Sequence, residues 1–374
     1  MLAVCQPMAT AARFHLSLDA FLLRSICMAF PDEPVVYLSD RVSLGLMKKF
    51  MKSWPQNLTL KTAGVPVNGA RRLHLHARLF INLLSCRRTA SRLGVRALLY
   101  LAFATEVCSL HLVRPSSIPE YYIVHYNFHK SRRTPWGRSL LKWIGSRATA
   151  LIFLEQQISR AALLECALDP RRVAVIPHPP VGLDPNVDKY REEDRRGIVM
   201  AGALTKEKGI QILLDGARIL KTQKPEILAR LPIRVVGPYI SGPNPQLYSD
   251  CVEYINQPLT DSELEQAMRS SRFVILPFDF KSYAYVTPGT FYRALSCDTP
   301  IISTDLPSLK DLTHGSMPIG FTFSDLPQFV EIMTRISNMT EQEHAQLRNN
   351  VRHVVQSRSL LATAQVVRQI LRKR

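Results

Sequence analysis

The most constraining feature of this chain is a series of short, almost wholly apolar runs, each followed by an amphipathic stretch. Runs at 2–5 (LAVC), 35–38 (VVYL), 58–61, 97–101, 121–125, 150–154 and 173–176 read as strands. Helical spacing fits the stretches between them, at 11–30 and again at 71–93. In the latter, Leu73, Ala77, Phe80, Ile81 and Leu84 form the apolar stripe, ringed by Arg71, Arg72, Arg78, Arg87, Arg88 and Arg92. Strands that read as continuous apolar runs, alternating with helices, require a parallel α/β architecture with both sheet faces covered. The segment 181–196 is poor in apolar residues and reads as a linker. The pattern then restarts, with strands at 197–201, 233–236, 273–276 and 300–303 and helices at 209–220, 261–270 and 290–296. The expected result is two successive α/β units, each binding ligands at the carboxyl ends of its strands.

Charge separates the two halves. Of the net +18 formal charge, residues 1–185 hold +14, with 24 Lys and Arg against 10 Asp and Glu. Twelve Lys and Arg and no acid lie between Asp40 and Glu106. Such a half calls for an anionic partner, a membrane surface or a nucleic acid. Base stacking needs aromatic residues among the cations, and between Leu73 and Arg96 only Phe80 is aromatic, which argues against nucleic acid. Seven dispersed cysteines with no CxxC pair read as thiols in a reducing compartment, and Met1 to Met8 lacks the features of a signal peptide. The apolar stretch 97–113 is broken by Glu106 and His111 and reads as a strand and helix, not as a membrane span.

Three segments of the second half carry a resemblance. GIVMAGALTKEKGIQILLDGARIL (197–220) has a strand, a Gly turn and a Lys-Gly helix start. DSELEQAMRSSRFVILPF (261–278) is a helix leading into a strand that ends in Leu-Pro. TPGTFYRALSCDTPIISTDLPSLKDL (287–312) is a helix followed by a strand. Together with ATALIFLEQQISRAALLECALDPRRVAVIPHPP (148–180), this ordered set resembles glycosyltransferase family 4 (group 1), retaining enzymes of the GT-B fold. The resemblance implies an α/β GT-B chain of two Rossmann-like domains facing each other across a cleft. Its acceptor domain would be 1–183, its linker 184–196, its nucleotide-sugar donor domain 197–358, and a final helix, 359–374, would pack back on the first domain. The implied activity is transfer of a sugar from a nucleotide-diphosphate sugar, with no bound metal and no other cofactor.

The donor diphosphate needs cations and N–H donors. Gly202, Lys208 and Gly209 supply a close backbone approach, a cation and a helix start. Thr287, Pro288, Gly289 and Thr290 open a second helix whose first amides can cradle phosphate. The chain also departs from the family pattern. Ala203 stands where many members have Arg, Thr290 where a Lys is usual, and the paired glutamates fall at Tyr285 and Arg293. An Arg cannot accept a hydrogen bond from ribose; Arg293 is expected to face the diphosphate instead. These changes also fit an alternative, a degenerate GT-B partner subunit of a glycan-assembly complex. Catalytic candidates in the first half are His125 and His129, in a strand-to-loop segment, and the isolated acid Glu106; His178 is read first as hinge geometry. A lipid-linked or polysaccharide acceptor would bring the first half to the cytoplasmic face of the membrane. There Arg71, Arg72, Arg78, Arg87 and Arg88 would meet anionic lipid, with Phe80 and Trp54 adding interfacial contact.

Overall fold

The computed structural model describes residues 1–7, 13–51, 53–65, 72–102, 111–112, 116–125, 127–180 and 194–372. Glu106, Arg71, the side chain of Arg72 and most of the expected linker lie outside the described residues. The chain divides into two compact units, Met1–Pro179 with Arg358–Arg374, and Pro180–Ser357.

The first unit holds seven parallel strands: β1 (Leu2–Cys5), β2 (Val35–Ser39), β3 (Leu58–Thr62), β4 (Ala97–Tyr100), β5 (Glu120–Val124), β6 (Ala150–Phe153) and β7 (Val173–Val175). Their order is β3-β2-β1-β4-β5-β6-β7. β1, β2, β4, β5 and β6 are buried along their whole length, which explains why they lack polar alternation. The last helix, Leu360–Arg372, lies along the helix Arg13–Ala29 and places Ala364, Val367 and Leu371 in the same core as Leu18, Leu22 and Ile26.

The second unit holds six parallel strands: β8 (Ile198–Ala201), β9 (Ile233–Val236), β10 (Glu253–Ile255), β11 (Phe273–Leu276), β12 (Ile301–Thr304) and β13 (Gly320–Phe323). Their order, β10-β9-β8-β11-β12-β13, repeats the first six positions of the other sheet. Both are doubly wound sheets whose strand order reverses once, between β1 and β4 and between β8 and β11. Sequence patterning misses β10 and β13. They are the two edge strands of this sheet, partly exposed and too short to show an apolar run.

The helix Arg72–Arg92 is rotated from its expected phase. Leu79, Leu83, Cys86 and Ala90 face the core, while Ile81 is 47% exposed. Two polar side chains share the inner face because each has buried partners. Asn82 donates to the carbonyls of Val65 and Pro7, and Arg87 pairs with Glu120.

Candidate functional site

In the second unit the chain leaves β8 and β11 on opposite sides of the sheet, so a crevice opens beyond their carboxyl ends. Backbone hydrogen bonds fix its floor. Gly202 donates to Val236 O and Leu204 to Pro238 O, and Asp279 N–H donates to Glu207 O, each at 2.9 Å. The turn Lys206–Lys208 ends at Gly209, whose φ of +79° starts the helix Ile210–Gln223. A Cβ at Gly209 would lie 1.6 Å from the carbonyl oxygen of Pro277, so the loops after β8 and β11 meet there only because this residue is glycine.

That turn aims Lys208 back over the end of β8. A Cβ at Gly202 (φ +106°) would stand 3.7 Å from Lys208 Nζ, so the missing side chain leaves room beside the ammonium. Burial depresses the Lys208 pKa, and no carboxylate among the described residues offsets the effect. A desolvated cation without a counter-anion marks a candidate anion site.

Across the crevice, Thr287 and Pro288 lead into the helix Gly289–Ser296. No side chain caps this helix, and the space around Gly289 is open, with nothing within 4 Å of an added Cβ. Thr287 is 3% exposed, and its hydroxyl has no hydrogen-bond partner among the described residues. Thr290 is half-buried on the first turn. Lys208, the Thr287 hydroxyl and this uncapped helix start are thus polar groups of the crevice with no partner among the described residues.

Arg293 corrects an expectation. Its Nη1 donates to Asp261 Oδ1 at 2.7 Å, so the guanidinium is held by a carboxylate instead of standing ready for a diphosphate. Asp261 was missed because its partner lies 32 residues away in sequence. In sequence this point carries the capping-box pattern of Thr260 and Glu263, which signals a helix start and nothing of the ion pair.

In the first unit, His125 follows β5 and sits edge-on to His178, with ring centroids 6.1 Å apart. His178 is buried, and its Nδ1 donates to Pro179 O at 2.8 Å. Its own carbonyl accepts from Arg358, which forms a buried ion pair with Glu155. At the end of β1, Gln6 Nε2 donates to Asp19 at 2.8 Å, and burial raises the Asp19 pKa to about 7. His129 is 1% exposed, and Arg133 donates to its Nε2 at 2.7 Å. With that lone pair occupied and the ring enclosed, His129 is poorly placed to act as a general base. Among the described residues no cluster of three or more His, Cys, Asp or Glu could hold a metal ion.

The basic face also needs correction. Arg87 is 3% exposed and grips Glu120 through Nε at 2.7 Å and Nη2 at 2.6 Å, so it cannot face a membrane. Arg78 is half-buried and Arg88 exposed. No helix among the described residues is long and apolar enough to cross a membrane.

Two parallel α/β units of this strand order have the GT-B fold. Solved GT-B structures superpose along the whole chain. HepE of Anabaena, in complex with UDP and glucose, matches with a TM-score of 0.63 at 16% identity, covering 100% of both chains. WaaG, a glycosyltransferase involved in lipopolysaccharide biosynthesis, matches with 0.60 at 13% identity, also over 100% of both. Sucrose-phosphate synthase from Thermosynechococcus elongatus matches with 0.70 at 15% identity, over 100% of this chain and 98% of the other. Residues 195–338 match the family model of group 1 glycosyl transferases, a likeness that falls within the second unit. No curated protein matches it in sequence.

Proposed function

We propose that the chain transfers a sugar, with retention, from a nucleoside-diphosphate donor to a lipid-linked or polysaccharide acceptor at the cytoplasmic face of a membrane. The observation that carries the donor half is Lys208, a desolvated ammonium at the switch point with no counter-anion among the described residues. A diphosphate supplies that charge, and the Thr287 hydroxyl and the amides at Gly289 supply donors on the opposite side. Gly202, Gly209 and Pro288 shape the crevice, and Thr290 stands on its rim. Solved HepE complexes with UDP, and the resemblance of 287–312 to retaining enzymes, support the same reading. His125, which follows β5 at the carboxyl edge of the first sheet, is the candidate group for the acceptor side.

The membrane half rests on one helix face. Ala77, Ile81, Leu84, Arg88 and Arg92 recur at helical spacing on the outward side of Arg72–Arg92, joining exposed apolar surface to two exposed cations. The acceptor class agrees with the role named for WaaG.

The donor reading is tested by thermal unfolding with UDP-, GDP-, ADP- and TDP-sugars. A donor at 100 times its dissociation constant adds about 2.7 kcal/mol of stability. No shift with any of the four, at millimolar concentration, would refute it.

A further inference from the structure

We infer that Asp261, clamped by Arg293, receives the ribose hydroxyls of the donor nucleotide and selects ribonucleotides over deoxyribonucleotides. This rests on the nucleotide site proposed above. A ribonucleoside diphosphate whose phosphates lie on Lys208 and the helix start at Gly289 presents two vicinal hydroxyls beside them. In doubly wound nucleotide sites such hydroxyls are taken by a carboxylate.

Six described carboxylates stand on the loops and helix starts beyond the carboxyl ends of β8, β10, β11 and β12: Glu207, Asp261, Glu263, Asp279, Asp305 and Asp311. Asp311 already has a partner, and three more are engaged. Glu263 closes the capping box with Thr260, Asp279 caps the turn at Ser282, and Asp305 accepts from His314. Glu207 is exposed on the turn Lys206–Lys208.

Asp261 is built in differently. It opens the helix Asp261–Arg269, which packs beside the helix Gly289–Ser296. Arg293 lies four residues after Gly289, hence one turn along on the same face. One helix therefore offers its N-terminus to the phosphates and, a turn later, the clamp on Asp261. The pair is asymmetric, since the Arg293 side chain is 15% exposed and that of Asp261 52%. A carboxylate has about four acceptor positions, and a guanidinium has none. The contact with Arg293 uses Oδ1 and fixes the group, while the half-exposed carboxylate keeps acceptor capacity for a diol. Arg293 is thus a positioning residue and Asp261 a binding residue.

The test is calorimetric titration of the full chain with the pairs UDP and dUDP, GDP and dGDP, ADP and dADP. The wild type should bind its preferred ribonucleotide about tenfold more tightly than the 2′-deoxy form, the worth of one hydrogen bond to a charged group. Asp261→Ala should bring that ratio close to one, weakening the ribonucleotide more than the 2′-deoxy form. Arg293→Ala should lower the ratio less, and Glu207→Gln should preserve it. Asp261 is exposed, and unfolding curves for Asp261→Asn alongside Asp261→Ala verify that the fold is intact. A ratio unchanged in Asp261→Ala, or one that collapses in Glu207→Gln, overturns the assignment of Asp261 alone. Failure of the wild type to bind any of the six nucleotides overturns the nucleotide site together with it.

Discussion

The two units share a strand order and differ in what stands at the carboxyl edge. In the first, Glu155 and Asp19 are neutralised, one by an ion pair and the other by burial. Arg358 is spent on Glu155 and the His178 carbonyl, and Asp19 is shielded beside Gln6. In the second, Lys208 and the Thr287 hydroxyl are left without partners among the described residues, and the helix at Gly289 has no cap. One topology can therefore carry paired polar groups at one edge and unpartnered ones at another, depending on the residues placed there. Four experiments break or sharpen this contrast.

The largest effect is expected at Arg358. Replacing it with Ala strands the Glu155 carboxylate in a site where both partners are under 10% exposed. The loss should be about 3–5 kcal/mol in denaturant unfolding, whereas an edge open to water there would give under 1 kcal/mol.

Next is the pH dependence set by Asp19. Its folded pKa of about 7 lies above the ordinary 3.8, so the fold holds a proton that the unfolded chain releases. Its contribution is complete below pH 3.8 and disappears as pH rises through 7, a span worth roughly 4 kcal/mol. Asp19→Asn should flatten the stability profile across that window; an unaltered slope would show that Asp19 is charged in the fold.

Lys208→Gln should weaken nucleotide binding by about 2–3 kcal/mol, or roughly 30- to 150-fold, without loss of stability. Because burial depresses the Lys208 pKa, wild-type affinity should begin to fall at a pH below the ordinary lysine range. The mutant should lack that decline. Titration calorimetry between pH 7 and 10 reads both.

The smallest effect concerns the outer face of Arg72–Arg92. Arg88→Ala should weaken attachment to anionic liposomes by about 1 kcal/mol, in a salt-dependent way. Flotation insensitive to salt and to Arg88 would remove the membrane from the proposal. Arg87→Ala should instead destabilise the fold, since that cation faces inward.

The sequence by itself determined the fold class and the positions of the turns and helix starts at the carboxyl edge of the second sheet. Apolar runs such as IVMA and FVIL sit within a residue of the observed strands because both faces of a parallel sheet must be dry. Gly202, Lys208, Gly209 and Gly289 were legible because local backbone geometry demands glycine or a helix start at fixed spacing. Tertiary structure alone decided which polar groups are already satisfied. Arg293 and Asp261, Arg87 and Glu120, and Arg358 and Glu155 meet across 32, 33 and 203 residues. No periodicity encodes such pairings. A charge reads the same in sequence whether it awaits a ligand or has found its partner, and only packing brings the two ends of each pair within hydrogen-bond distance.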